Sequence, residues 1–170
     1  DLDFAPLADR LTAAGLEAGA LALVPRVSEE VIAARITHLR PHPDAANLSL
    51  CEVDSGSGSV IQVVCGAANT RAGMVAPLAM PGAILPDGSV IRPTTIRNKV
   101  STGMLCSGAE LGIDDSVSGL LDLDPSLVPG TSLNAHLDLG DQLLEVDLTP
   151  NRGDCLSLFG IARETAVVAN

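Results

Sequence analysis

Between His42 and Gly112 no apolar run survives long enough to make a helix. Runs of four to seven residues are cut again and again by Gly and Pro, as at Pro81-Gly82, Pro86-Asp87-Gly88 and Gly103. Such spacing permits short strands with tight corners and little else. Five strands are expected: residues 31–39, ended by Pro41 and Pro43, then 48–53, 60–64, 74–80 and 89–96. Pro93 cannot donate to a ladder, so the last of these belongs at an edge. Ser55-Gly56-Ser57-Gly58-Ser59 reads as a hairpin loop. Pro86-Asp87-Gly88 supplies a turn, because Pro presets φ and Gly accepts a positive one. Five short strands with such corners predict a five-stranded OB-type β-barrel.

The flanks have a different period. Residues 3–15 carry Phe4, Leu7, Ala8 and Leu11 on one helical face, with Asp3 as a cap and Gly15 as a left-handed stop. Residues 16–27 suit one strand running to Pro25. After the barrel, Thr131 is placed to cap a short helix to Leu137, and 142–148 alternate as a strand. Thr149–Asp154 reads as a loop. A last helix follows, with Leu158, Ile161, Ala162, Thr165 and Val168 at helical spacing and Asp154 as its cap. Both terminal helices need an apolar partner that their neighbours in sequence do not provide. The expected organisation is therefore a discontinuous small α/β domain, 1–30 with 140–170, holding an inserted barrel domain at 31–139. The fold class is mainly β with α+β flanks.

Composition limits what such a barrel can bind. The chain has no Trp or Tyr, and Phe4 and Phe159 are its only aromatic residues, so stacking platforms for bases are missing. The net charge of −11 opposes generic nucleic-acid binding and DNA binding, since phosphate affinity comes from Lys and Arg. The charge is uneven, however. Residues 31–100 hold Arg35, Arg40, Arg71, Arg92, Arg97 and Lys99 against four acids, while 101–150 hold nine acids and no Lys or Arg. One weakly positive face on an otherwise repelling body is the expectation. Cys51, Cys65, Cys106 and Cys155 form no C-x-x-C pair, so no metal site is expected, and a reducing cytoplasmic setting is the default. No run approaches the ~20 apolar residues of a membrane span.

Several motifs now resemble a family. His42-Pro43 with Leu48, Val64-Cys65-Gly66-Ala67 with Asn69, Pro81-Gly82-Ala83-Ile84-Leu85-Pro86-Asp87-Gly88, and Ser101 with Gly103-Met104-Leu105-Cys106-Ser107 and Glu110-Leu111-Gly112 occur in this order. Together they resemble the tRNA-binding domain shared by bacterial phenylalanyl-tRNA synthetase beta chains, methionyl-tRNA synthetases and stand-alone tRNA-binding proteins. The flanks resemble the beta chain: Leu7 to Glu17, then Thr149 to Ser157 and Gly160-Ile161-Ala162-Arg163-Glu164. The resemblance implies an N-terminal fragment of a larger ligase subunit. It implies an alpha-chain partner in an α2β2 assembly, and ATP and Mg²⁺ for the whole enzyme, with no cofactor and no catalytic residue in this fragment.

The same resemblance points to tRNA contact at Arg97, Lys99, Ser101 and Met104, with Asn69 and Arg71 beside them. Two cations, a hydroxyl and a glycine-permitted backbone approach suit phosphate. Asn98 stands where relatives usually have Gly, and Ala46-Asn47 where they usually carry Asp-Lys. With so few cations, weak and strongly salt-dependent binding is expected. Structural roles compete at each position: Asn69 can cap a turn, and Met104 can fill the barrel. Two alternatives to an auxiliary tRNA surface remain, a protein-interaction scaffold and a stand-alone tRNA-binding protein.

Overall fold

A computed structural model describes residues 4–21, 25–115, 118–141 and 143–169. In chain order the elements are α1 (Phe4–Ala13), β1 (Glu17–Leu21), β2 (Val31–His42), β3 (Ala45–Asp54), β4 (Val60–Cys65), β5 (Val75–Ala79), β6 (Thr94–Ile96), β7 (Lys99–Ser101), β8 (Met104–Leu105), α2 (Leu133–His136), β9 (Leu143–Asp147), a 3₁₀ segment (Pro150–Cys155) and α3 (Leu158–Val168). They form two compact units, Pro25–Leu139 and the paired segments Asp1–Val24 and Gly140–Asn170.

The larger unit is built on an antiparallel sheet of order β4-β3-β2-β5-β8. Its fold is of the OB type, but the sheet does not close into a barrel by a main-chain ladder. Between β4 and the β7–β8 turn, Thr102 N–H donates to Gln62 O (2.9 Å), while two side chains make the other joints. Val64 N–H donates to Ser101 Oγ (3.0 Å), and Gln62 Nε2 donates to Val100 O (2.7 Å). The expected fifth strand is also corrected. Only Thr94–Ile96 of residues 89–96 is a strand, and it pairs with β7 as a separate hairpin. Pro93 ends it, and Ile84 and Val90 meet only as an isolated bridge. The fifth strand of the main sheet is the two-residue β8. Its approach to β5 requires Gly103, where a Cβ would lie 2.7 Å from Ala79 O.

Strand β2 runs through Pro41 to His42, past the expected stop. The ladder explains this. β5 pairs β2 only at 31–35 and β3 pairs it at 35–42, so at Pro41 the second edge carries no partner strand and a missing N–H costs nothing. β5, in contrast, is buried throughout. Its Ala76 and Leu78 join the interior with Ile36, Cys51, Val53, Val63 and Leu105, while Val75 and Ala79 face a second cluster with Val31, Leu111, Leu123 and Leu133. Both faces of the central strands are thus covered, the second by the acidic segment after Gly112.

Polar clips hold that segment down. The Asn69 side chain donates to Leu120 O (2.9 Å) and accepts from Leu120 N–H (2.9 Å). Buried Asn134 does the same with Val27 (2.9 and 3.0 Å). Arg35 donates to Pro125 O (2.9 Å) and Leu127 O (3.0 Å). Helix α2 is capped by Ser132 rather than Thr131, whose hydroxyl donates to Val128 O instead.

In the smaller unit β1 pairs antiparallel with β9. α1 buries Leu7, Ala8 and Leu11, and ends at Gly15 with φ +88°. Gly15 N–H donates to Thr12 O and Leu16 N–H to Leu11 O, a Schellman closure that stacks Leu16 on Leu11. Leu144, Val146, Leu148, Ile161 and Val168 pack on this cluster. Each fully buried Leu contributes about 2 kcal/mol. The cap of α3 is Ser157, whose hydroxyl accepts from Gly160 N–H (3.1 Å); Asp154 pairs with arginines instead. Leu158 points outward at 92% exposure, beside Phe159 at 80%, so the apolar spacing of this helix serves two faces. The expected Asp3 cap and Gln142 lie outside the described residues.

Candidate nucleic-acid interface

The β6–β7 hairpin is a two-residue turn. Ile96 pairs with Lys99, leaving Arg97 (φ +48°) and Asn98 (φ +64°) in the left-handed region. Two positive φ values match a type I′ turn, whose twist suits a hairpin and which Asn tolerates well. Arg97 is therefore held at the tip in a conformation that side-chain-bearing residues adopt at a cost. The tip is anchored from below. Buried His42 accepts from Asp44 N–H at Nδ1 (3.0 Å), which leaves Nε2 to donate to Ile96 O (3.3 Å). The hairpin thus presents Arg97 and Lys99, with Arg92 before it, on a base tied to His42. Among the described residues none of these three cations has an acidic partner within 4.0 Å.

The other expected residues are placed differently. Ser101 is buried (2% exposed), its hydroxyl donating to Gly103 O (2.8 Å) and accepting from Val64 N–H. Asn69 spends its amide on Leu120. Arg71 pairs with Asp122 at 2.5 Å and borders an acidic cleft with Asp124. Met104 is half-buried on β8. Arg97, Lys99, Ser101 and Met104 are contiguous; Asn69 and Arg71 attach to the acidic segment.

Met104 lines a groove of about 480 Å³ at the open seam of the sheet. Leu48, Val64, Ile96, Leu105 and Leu120 form its apolar walls, and Cys65, Ser107 and Glu110 its polar points. Ser107 and Glu110 form a reciprocal cap: Glu110 Oε2 accepts from Ser107 N–H (2.7 Å) and Oγ (2.8 Å), while Glu110 N–H donates to Ser107 Oγ (3.2 Å). The S-x-x-E spacing carries this signal in the sequence, whereas Ile96 and Leu48 reach the groove only through strand pairing. The neighbouring Cys51 thiol first, and then hydrogen bonds with Thr70 and the Ala67 amide, hold the Cys65 thiol below its ordinary value despite burial. Burial first, then the Glu110 carboxylate, pushes Cys106 up to about 12.

In the smaller unit Asp154, Cys155 and Glu164 bring metal-type ligand atoms within 4.8 Å of one another. Arg152 fills that space, contacting Asp154 (3.2 Å), Cys155 Sγ (3.0 Å) and Glu164 (3.1 Å). Its guanidinium supplies the positive charge a cation would bring. Arg152 foremost, with help from the Cys155 thiol and from Arg163, holds the Asp154 carboxyl below the usual range. No helix among the described residues is long and apolar enough to cross a membrane.

The chain is similar to known proteins. Residues 31–132 match the family model described as "Putative tRNA binding domain". The phenylalanine–tRNA ligase beta subunit of Methylococcus capsulatus is 49% identical over 98% of this chain and 21% of its own length. That of Bordetella parapertussis is 50% identical over 95% of this chain and 20% of its own. That of Anaeromyxobacter dehalogenans is 52% identical over the same shares. The chain spans about a fifth of the length of these relatives. A crystal structure of the C-terminal domain of Plasmodium vivax p43 aligns with a TM-score of 0.44 at 15% identity, covering 65% of this chain and 61% of that one.

Proposed function

Because the chain belongs to the tRNA-binding-domain family, we propose that its OB-type domain gives tRNA an auxiliary surface centred on Arg97 and Lys99, within the beta subunit of a phenylalanine–tRNA ligase. The observation that carries this reading is the β6–β7 hairpin, where cations stand without acidic partners on a chain of net charge −11. Cations on a raised, pre-shaped turn meet a phosphate backbone without first breaking an ion pair. Arg71 would have to leave Asp122 to do the same. Ser101 and Asn69 act by shaping the surface, and Met104 by lining the groove beside it.

In the whole enzyme, by this reading, the chain is an N-terminal part that supports the assembly in the cytoplasm. An alpha-chain partner in an α2β2 arrangement joins phenylalanine to tRNA with ATP and Mg²⁺. The barrel domain, 31–139, is carried as an insertion in the 1–30 and 140–170 domain. No catalytic residue is assigned here. The Asp154 cluster does not suit Mg²⁺, because Arg152 occupies it and a thiol is a poor ligand for a hard cation.

Titrating tRNA into the chain at low salt tests the RNA role. Binding that weakens steeply with salt, and is lost in Arg97→Ala/Lys99→Ala, is the expected result. No binding by the unmutated chain overturns it. A scaffold role is then the better reading, favoured by the outward Leu156, Leu158 and Phe159 at 77%, 92% and 80% exposure.

A further inference from the structure

We propose that the groove at the sheet seam receives one unpaired base of the bound RNA, and that Glu110 selects guanine there. This rests on the preceding reading, in which the hairpin cations hold the RNA backbone. Three observations carry it. First, Ile96 lines the groove and pairs with Lys99, and directly opposed residues of a hairpin share a face. A cation is thus fixed beside an apolar slot, which is the demand of a nucleotide with its phosphate outside and its base inside.

Second, the groove suits a base better than a solvated chain. Its volume of about 480 Å³ lies in the range of small-molecule sites. Ile96, Met104 and Leu48 offer aliphatic faces, so an aromatic base gains burial where the chain has no stacking ring to offer. Third, Glu110 borders the groove with one carboxylate oxygen held and the other open. Ser107 holds Oε2 by two hydrogen bonds, and Oε1 has no hydrogen-bond partner among the described residues. An ionised carboxylate only accepts. Guanine offers adjacent N1–H and N2–H donors on its Watson–Crick edge, which the two lone pairs of Oε1 can accept together, and uracil and adenine do not match that pair. Single-stranded bases are read on this edge in RNA recognition.

The experiment measures binding of the 170-residue chain to four short single-stranded RNAs, each with one variable base (G, inosine, A or U) in a uridine background, at low salt. Two adjacent donors on the one free carboxylate oxygen predict about 5-fold tighter binding of the G strand than of the A and U strands, the low end for specific base contacts because Oε2 is already held by Ser107. Inosine, lacking the N2 amino group, falls between. Glu110→Gln removes the preference, and the ratio is the readout because losing a negative charge raises affinity for every strand. Circular dichroism checks that the variant keeps the fold. Equal affinity for the four strands, still abolished by Arg97→Ala/Lys99→Ala, overturns the base site and leaves the tRNA surface standing. A guanine preference that persists in Glu110→Gln overturns the role of Glu110. No binding of any strand or of tRNA overturns both readings.

Discussion

Arg35 and Arg71 sit within the same unit as Arg97 and Lys99, yet the two pairs do opposite work. Arg35 is half-buried and donates to the carbonyls of Pro125 and Leu127, and Arg71 pairs with Asp122. Their charge is spent on fastening an acidic segment over the sheet. Arg97 and Lys99 fasten nothing among the described residues. A cation committed to the fold is worth stability and little affinity. A cation left on a turn is worth affinity and little stability. Sequence position does not separate the two kinds; the presence of a partner does.

The contrast can be broken from the stabilising side first. Asn134→Ala strands the buried Val27 N–H and C=O and should cost about 3 kcal/mol in urea unfolding, with tRNA affinity unchanged where the variant is folded. Arg35→Ala releases two carbonyls from a charged donor and should cost about 2 kcal/mol by the same measurement. Arg71→Ala should cost less than ~1 kcal/mol, because its ion pair is half-exposed. It should also leave the slope of log affinity against log salt nearly unchanged, whereas each of Arg97→Ala and Lys99→Ala lowers it by about 1. An Arg71 variant with the larger slope change would erase the distinction.

Smaller effects sharpen it. Asn98→Gly places the preferred residue at the second turn position and should stabilise the chain by about 0.5 kcal/mol without altering RNA affinity. The arginines of the smaller unit, Arg152 and Arg163, are fold-committed too, and acid tests them through Asp154. Its folded-state value is depressed from an ordinary 3.8, so the stability it lends is complete above that pH. That contribution is lost as pH falls through the folded-state value. Acid titration of Asp154→Asn should lack this part of the transition.

Much of this was legible in residues. The Gly and Pro corners predict β2 to β5 along the chain, and Gly15 predicts where α1 ends. The fifth strand was not legible, because Met104 and Leu105 are too few to leave a period, while Val90 to Ile96 imitates one. Asp154 and Thr131 have cap chemistry, but in each case a serine nearer the helix, Ser157 or Ser132, takes the cap. At the candidate interface, Arg97 and Lys99 are visible as charges in any reading. That Arg71, Asn69 and Ser101 are engaged elsewhere depends on Asp122, Leu120 and Val64, which are distant in sequence.

The seam between β4 and the end of β7 with its following turn has a consequence for motion. A ladder opens only by losing several coupled bonds, but this joint is one main-chain bond, one hydroxyl and one side-chain amide. It can part locally while β2, β3 and β5 stay paired. The Val64 amide, bonded to the Ser101 hydroxyl, should then exchange its hydrogen faster than the amides of the β2–β3 ladder. Val64 and Met104 are also walls of the groove. Breathing of the seam and widening of the groove are therefore one motion, and a ligand seated there would be read out as slowed exchange at Val64.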